Sequence, residues 1–292
     1  MKETSNEAAV GPGTLYLCAT PIGNLEDMTY RAVRVLGEAG LIAAEDTRHT
    51  RKLLSHYDIH TPLTSYHEHN KFTKGPELIA YLQGGEDLVC VSDAGLPGIA
   101  DPGSHLALLA IEAGIVVVPL PGANAALSAL ICSGLDTTRF SFVGFLPKTE
   151  KKRREVLAEV STRTETLLFY EAPHRLRTLL KELAAAFGTE RRVVLARELT
   201  KKFEEFRRDT LGGHLAYFAA AEPRGEFVVV VEGAAEESPA EQIPQSTPSE
   251  LVQQLMAQGT DKKEAMRQAA RQLGLSRRDV YQALLQQEAA KE

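Results

Sequence analysis

Two α/β domains followed by a small helical tail are the fold that this 292-residue sequence predicts, on three observations. Short apolar runs alternate with amphipathic stretches over residues 13–138, the pattern of βα units and a mainly parallel sheet. Strand-like runs outnumber helix-like ones over 139–233, so the second sheet is expected to be mixed, with antiparallel pairs. A stretch rich in Glu, Pro, Ser and Gln (234–247) then reads as a linker to three short helices at 248–292.

The elements follow in chain order. Residues 1–12 are polar and are expected to be disordered. "GTLYLCA" (13–19) reads as a buried strand, and "NLEDMTYRAVRVLGEAG" (24–40) as a helix closed by Gly40. "LIAAED" (41–46), "DLVCVS" (87–92) and "IVVVPLPG" (115–122) are the next strands. The helices that alternate with them are "TRHTRKLLSHY" (47–57), "HLALLAIEAG" (105–114) and "ANAALSALICSG" (123–134). In the second domain strands are expected at 140–147, 166–173, 191–199, 205–213 and 225–233, with one clear helix at 174–188. In the tail, Pro248 sits near the start of a helix that Gly259 ends, Asp261 caps the next, which Gly274 stops, and Ser276 caps the last. "AARQLGLSRRDVYQALL" has the form of a helix-turn-helix, which serves either nucleic-acid contact or a small docking bundle.

Apolar residues make up 43% of the chain, which excludes global disorder. No run approaches the ~20 apolar residues of a membrane span, and the polar N-terminus lacks a signal-peptide core. A cytoplasmic protein is expected. Cys18, Cys90 and Cys132 lie far apart in apolar runs, which reads as three buried, reduced thiols. No metal-ligand spacing occurs, so no metal is expected. A net charge of −6 argues against binding nucleic acid over the whole surface. Two basic segments, "KTEKKRR" (148–154) and 191–208, keep a local anionic partner in play.

Three strands of the first domain end in Gly/Pro loops: "TPIGN" (20–24), "SDAGLPG" (92–98) and "PLPGAN" (119–124). Three such loops at one end of a parallel sheet line the crevice where open α/β sheets bind ligands. The phosphate-cradling P-loop pattern, the dinucleotide fingerprint, the GxSxG elbow and HExxH are all missing. The second loop and its continuation carry Asp93 and Asp101, and none of the loops carries Lys or Arg. That disfavours a polyphosphate and fits a cationic or zwitterionic cofactor.

"LYLCATPIGNLEDMTYRAVRVL", "AAEDTRHTRKLL", "SYHEHN", "VSDAGLPGIADPG", "PLPGANAALSAL", "FVGFLP", "YEAPHRL" and "ARELTKKFEEFRR" occur in order, and together they resemble the tetrapyrrole methylase superfamily. Within it they are most similar to the enzymes that methylate small-subunit ribosomal RNA. The resemblance runs from about residue 13 to 233, and the tail resembles that branch's C-terminal helix-turn-helix. It implies two α/β domains with S-adenosyl-L-methionine (SAM) folded into the cleft between them, and a homodimer. It implies 2′-O-methylation of the ribose of a cytidine in the decoding region of 16S rRNA, in an assembled or nearly assembled subunit. By motif it gives cofactor roles to Pro21, Ile22, Gly23, Asp93, Ala94, Gly95, Leu96, Asn124, Ala125, Tyr170, Gly225 and Glu226. The second loop departs from the family pattern: Ser92-Asp93-Ala94 stands where many members carry Gly-Asp-Pro.

Methyl transfer from a sulfonium is a displacement that depends on positioning, and a ribose hydroxyl is helped by a general base. Glu45, Asp46, His67, Glu171 and His174 are all candidates, and the sequence does not choose among them. Arg48, Arg51, Lys151, Lys152, Arg153, Arg154, Arg175, Arg277 and Arg278 are the expected RNA contacts. The rival readings are methylation of a tetrapyrrole precursor and a ligand-sensing nucleic-acid regulator without catalysis.

Overall fold

The computed structural model describes residues 11–235 and 247–289. Residues 1–10 of the N-terminal stretch and 236–246 of the expected linker lie outside the described residues. The chain forms two compact units, Met1–Ala234 and Ala235–Glu292.

The first unit begins with β1 (Leu15–Cys18), α1 (Tyr30–Glu38), β2 (Leu41–Ala44), α2 (Thr47–His56), β3 (Leu63–Ser65), α3 (Lys71–Gln83), β4 (Leu88–Val91), α4 (Gly103–Glu112), β5 (Val117–Leu120) and α5 (Ala125–Ser133). The strands make one sheet in the order β3-β2-β4-β1-β5, every pair parallel. Such a sheet needs cover on both faces. One face packs Ile42, Val89 and Leu120 against Val35 and Leu36 of α1 and Leu54 of α2. The other packs Leu15, Leu88 and Cys90 against Leu78 and Leu82 of α3 and Leu106 of α4. Short polar residues start the helices: Thr29 accepts the Ala32 N–H, Asp46 that of Arg48, and Asn124 that of Leu127. β3 and α3 fall within 58–86, where the sequence reading assigns no element.

The second half adds β6 (Phe140–Phe145), α6 (Glu150–Val160), β7 (Thr166–Glu171), α7 (Pro173–Phe187), β8 (Arg192–Arg197), β9 (Glu205–Thr210), α8 (Leu211–Ala220) and β10 (Phe227–Val231). The strand order is β6-β7-β10-β8-β9, with β6 and β7 parallel and the other pairs antiparallel. The sheet is therefore mixed, as its sequence predicts. α6 and α8 are additions to that prediction. α6 lies in the basic segment, and α8 begins inside 205–213, so that strand ends at Thr210. One face of this sheet packs Leu167, Phe169, Val193 and Val229 against Leu157 of α6, Leu176 and Leu180 of α7 and Phe218 of α8. The opposite face packs Leu168, Val194, Ala196 and Val228 against Ala126, Ala129 and Leu130 of α5. The last helix of the first half thus docks onto the second sheet and joins the halves.

One expectation for the cysteines is corrected. Cys18 and Cys90 are buried in the first sheet, where burial pushes the Cys18 thiol up to about 12 and Cys90 in the same direction. Cys132 is exposed, because it falls on the outward side of α5 near its end.

The second unit holds α9 (Pro248–Ala257), α10 (Lys262–Gln272) and α11 (Arg277–Ala289). Thr247 and Glu250 form a capping box on α9, and Ser276 and Asp279 exchange hydrogen bonds in the same way on α11. Ala265, Ala269 and Ala270 let the helices meet around Val252, Val280 and Leu284. Among the described residues no helix is long and apolar enough to cross a membrane.

Candidate active site

The sheet order β2-β4-β1-β5 places four strand C-termini side by side, and the chain zips their loops together. Thr20 and Gly95 exchange backbone hydrogen bonds at 2.9 and 3.0 Å. Gly95 sits at φ +80°, a conformation that glycine takes without strain. The Thr20 hydroxyl donates to the Ser92 carbonyl at 3.2 Å. Asp93 Oδ1 accepts the Asp46 N–H at 2.9 Å, and the Asp93 N–H donates to Glu45 Oε2 at 3.4 Å. Asp101 Oδ1 accepts the N–H groups of Gly98 and Gly103 at 2.7 and 2.8 Å, which closes the loop onto the start of α4.

These loops form one wall of a cavity of about 550 Å³, within the range of small-molecule sites. The opposite wall comes from the second sheet and includes Phe145, Tyr170, Ala196 and Val228. The N-termini of α5 and α7 reach it through Asn124 and Pro173. Five carboxylates line it (Glu45, Asp93, Asp101, Glu171, Glu226), and no described lining residue is Lys, Arg or His. Two of the five face cations: Glu226 meets Lys201 at 2.8 Å, and Glu171 stands 3.7 Å from Arg175. The other three crowd one another. Burial pushes the Glu45 carboxyl above the usual carboxylate range; the Asp93 N–H pulls it down, and the Asp93 and Asp101 charges push it up again. Burial also raises Asp101, against its backbone hydrogen bonds. A neutral or cationic polar ligand suits this lining, and an anion does not.

Of the residues given cofactor roles, Ile22, Asp93, Ala94, Gly95, Leu96, Asn124, Ala125, Tyr170 and Glu226 line the cavity. Pro21, Gly23 and Gly225 do not. Gly23 packs behind the wall, where a Cβ would lie 2.9 Å from Thr200 Oγ1 and 3.0 Å from the Leu199 carbonyl oxygen. Gly225, at φ +83°, makes room for the Glu198 side chain. The Asn124 amide oxygen is occupied in capping α5, at 2.8 Å from the Leu127 N–H.

Among the base candidates, Glu45 and Glu171 line the cavity. Asp46 caps α2 and pairs with Arg48, which holds its carboxyl well below the usual range. His67 and His174 stand outside the lining. Asp101, noted in the sequence as a loop carboxylate, lines the cavity with Asp93, and Phe145 belongs to the site without having been singled out. A glycine inside a strand, Gly144, was the available sign for Phe145.

The basic residues divide. Arg51, Lys151, Lys152, Arg277 and Arg278 are exposed. Arg48 and Arg154 are exposed beside Asp46 and Glu150. Arg153 instead grips Glu182 with the Nε–Nη2 edge of its guanidinium, at 2.7–3.0 Å, and only 11% of its side chain is exposed. The cations of 191–208 largely serve the fold as well: Arg192 pairs with Glu232, Arg197 with Glu205, and Arg208 caps the end of α5 through the Ser133 carbonyl.

Comparison with known proteins agrees with this architecture. The family model of tetrapyrrole (corrin/porphyrin) methylases matches residues 14–214. The ribosomal RNA small subunit methyltransferase I of Halalkalibacterium halodurans is 51% identical over 271 residues, 92% of this chain and 93% of that protein. The protein of the same name from Synechocystis is 49% identical over 277 residues, 95% of this chain and 99% of its own length. Among solved structures, a uroporphyrin-III-C-methyltransferase from Thermus thermophilus superposes with a TM-score of 0.55 at 23% identity, covering 75% of this chain and 94% of that one, a likeness of fold.

Proposed function

Because the chain belongs to the tetrapyrrole methylase family, in its ribosomal RNA small subunit methyltransferase I branch, we propose that it transfers a methyl group from SAM to the ribose 2′-hydroxyl of a cytidine in the decoding region of 16S rRNA. The observation that carries this reading is the carboxylate-lined cavity at the strand ends, which suits a cofactor that bears a sulfonium and an ammonium group and no phosphate. When bound, SAM supplies an electrophilic methyl group. The Asp93–Leu96 loop, held in place by the Thr20–Gly95 backbone pair and by Asp93, flanks the cofactor, and Tyr170 flanks the apolar side.

Glu45 is the proposed general base. It lines the cavity and its carboxyl is raised by burial, which brings it toward the range where a base works best near neutral pH. Glu171 has its Oε1 accepting the Ala172 N–H at 3.0 Å and Arg175 3.7 Å away, which engages its carboxyl group in the fold. Glu45 accepts the hydroxyl proton at a carboxylate oxygen.

Arg48, Arg51, Lys151, Lys152, Arg154, Arg175, Arg277 and Arg278 are the proposed phosphate contacts; the commitment of Arg153 to Glu182 removes it from that set. The partner in this reading is the assembled or nearly assembled small subunit, and the enzyme works in the cytoplasm as a homodimer. Incubation with methyl-labelled SAM and either small subunits, bare rRNA or a porphyrinogen tests it. Label on one cytidine ribose is expected; label on the porphyrinogen alone, or on none, overturns it.

A further inference from the structure

We propose that Phe145 is the platform on which the base of the methylated nucleotide stacks, unpaired, inside the cavity. The inference rests on the ribosomal RNA reading above and names the group that recognises the substrate.

A local irregularity puts Phe145 there. β6 runs parallel to β7 with Phe142 opposite Leu168, then skips Val143, so that Gly144 stands opposite Phe169 and Phe145 opposite Tyr170. Partners in register share a face, and side chains alternate along a strand. Without the extra residue Phe145 would turn to the face of Leu167 and Phe169, which α6, α7 and α8 cover. With it, Phe145 shares the face of Leu168 and Tyr170, toward α5 and the cavity. Gly144 makes the irregularity at φ +71°. Bulges beside functional sites commonly re-aim one side chain in this way.

The ring it delivers is exposed and braced. Phe145 lines the cavity yet is 57% exposed. It meets Tyr170 in a T-shaped contact, with centroids 5.5 Å apart at 62°, and Phe142 of the same strand also contacts Tyr170 at 5.0 Å and 72°. A T-shaped contact to one neighbour positions the ring, and its 57% exposure leaves aromatic surface open to the cavity for stacking.

The rest of the lining fits such an occupant. The cavity that the ring lines carries five carboxylates and no described cation. A nucleobase has a π-face for Phe145 and exocyclic N–H groups that donate to carboxylates, as the amino group of cytosine does. A hydroxyl presented to Glu45 brings its own base with it, and RNA enzymes and readers commonly hold such extruded bases on aromatic rings.

Phe145→Leu and Phe145→Trp test this in the full-length enzyme, by KM for small-subunit rRNA, SAM titration and mass by light scattering. Phe145→Leu is expected to raise the RNA KM on the order of tenfold, with SAM affinity within about twofold and an unchanged mass, and Phe145→Trp to restore the KM. An unchanged KM overturns the proposal. So does an equal loss of SAM affinity, which makes the ring a cofactor wall, or a changed mass, which makes it a contact between copies. Failure of the unmodified enzyme to label small-subunit rRNA removes the functional reading and this inference with it.

Discussion

Asp93 and Asp46 are joined by one hydrogen bond, from the Asp46 N–H to Asp93 Oδ1 at 2.9 Å, which ties the loop after β4 to the start of α2. A residue chosen for its place in a ligand loop therefore also holds two loops in register. Asp93→Ala leaves a part-buried N–H without its acceptor, a loss of about 1–3 kcal/mol. SAM affinity measured by calorimetry is expected to fall about tenfold or more. Asp93→Asn keeps the acceptor and is expected to retain most of the affinity. Equal losses in the two variants would point to a direct role for the charge instead.

Glu45 predicts the pH profile. The base must be ionised, and burial raises its carboxyl, so the rate is expected to rise with pH to a point above the ordinary carboxylate range and then level. Glu45→Gln is expected to lower kcat on the order of a hundredfold or more and to abolish that limb. A carboxyl raised in the folded state contributes stability at low pH that is lost as pH rises through its folded value. The Gln variant is therefore expected to unfold no earlier than the parent at pH 8. A kcat within threefold of the parent sinks the assignment.

Gly23 tests the wall from behind. A Cβ there meets Thr200, Lys201 and the Leu199 carbonyl, and Leu199 lines the cavity. Gly23→Ala is expected to cost about 1–3 kcal/mol of stability through overpacking. SAM affinity is expected to drop with it, while Gly37→Ala, which has nothing within 4 Å, is expected to leave that affinity unchanged. Thermal unfolding and titration of both variants decide it.

The C-terminal unit Ala235–Glu292 has its own core and exposes Arg277 and Arg278. Deleting 240–292 is expected to leave SAM affinity within about twofold. RNA binding is expected to weaken tenfold or more, with a shallower salt dependence because fewer phosphates are neutralised. Equal loss of both affinities, or loss of neither, refutes the division of labour.

The alternation of apolar runs and amphipathic stretches made most of the fold legible, because strands buried between helices leave a strong pattern in the chain. What escaped did so for local reasons. β3 is three half-buried residues. α3 carries Gly75 and Pro76 in its interior, and a Cβ at Gly75 would press on Leu109 Cδ1 at 2.7 Å. α6 buries only Leu157 and Val160 under a run of charge, and α8 opens on Gly212 and Gly213 beneath a Thr210 cap. In each, the apolar pattern that marks an element in the sequence is short or interrupted, and tertiary packing supplies the stability.

By itself the sequence determined the two kinds of sheet, the caps of the tail helices and the three Gly/Pro loops at strand ends, since each of these is written in residues a few positions apart. Only the tertiary structure brought Glu45 beside Asp93, because β2 and β4 are neighbours in the sheet though far apart in the chain. It alone turned Phe145 onto the cavity face, through one skipped residue against β7, and committed Arg153 to Glu182. A place in the cavity lining, and a carboxyl raised beside the Asp93 loop instead of engaged by Arg175, separate Glu45 from the other four base candidates. Both arise from packing between distant segments, which no local stretch of sequence encodes.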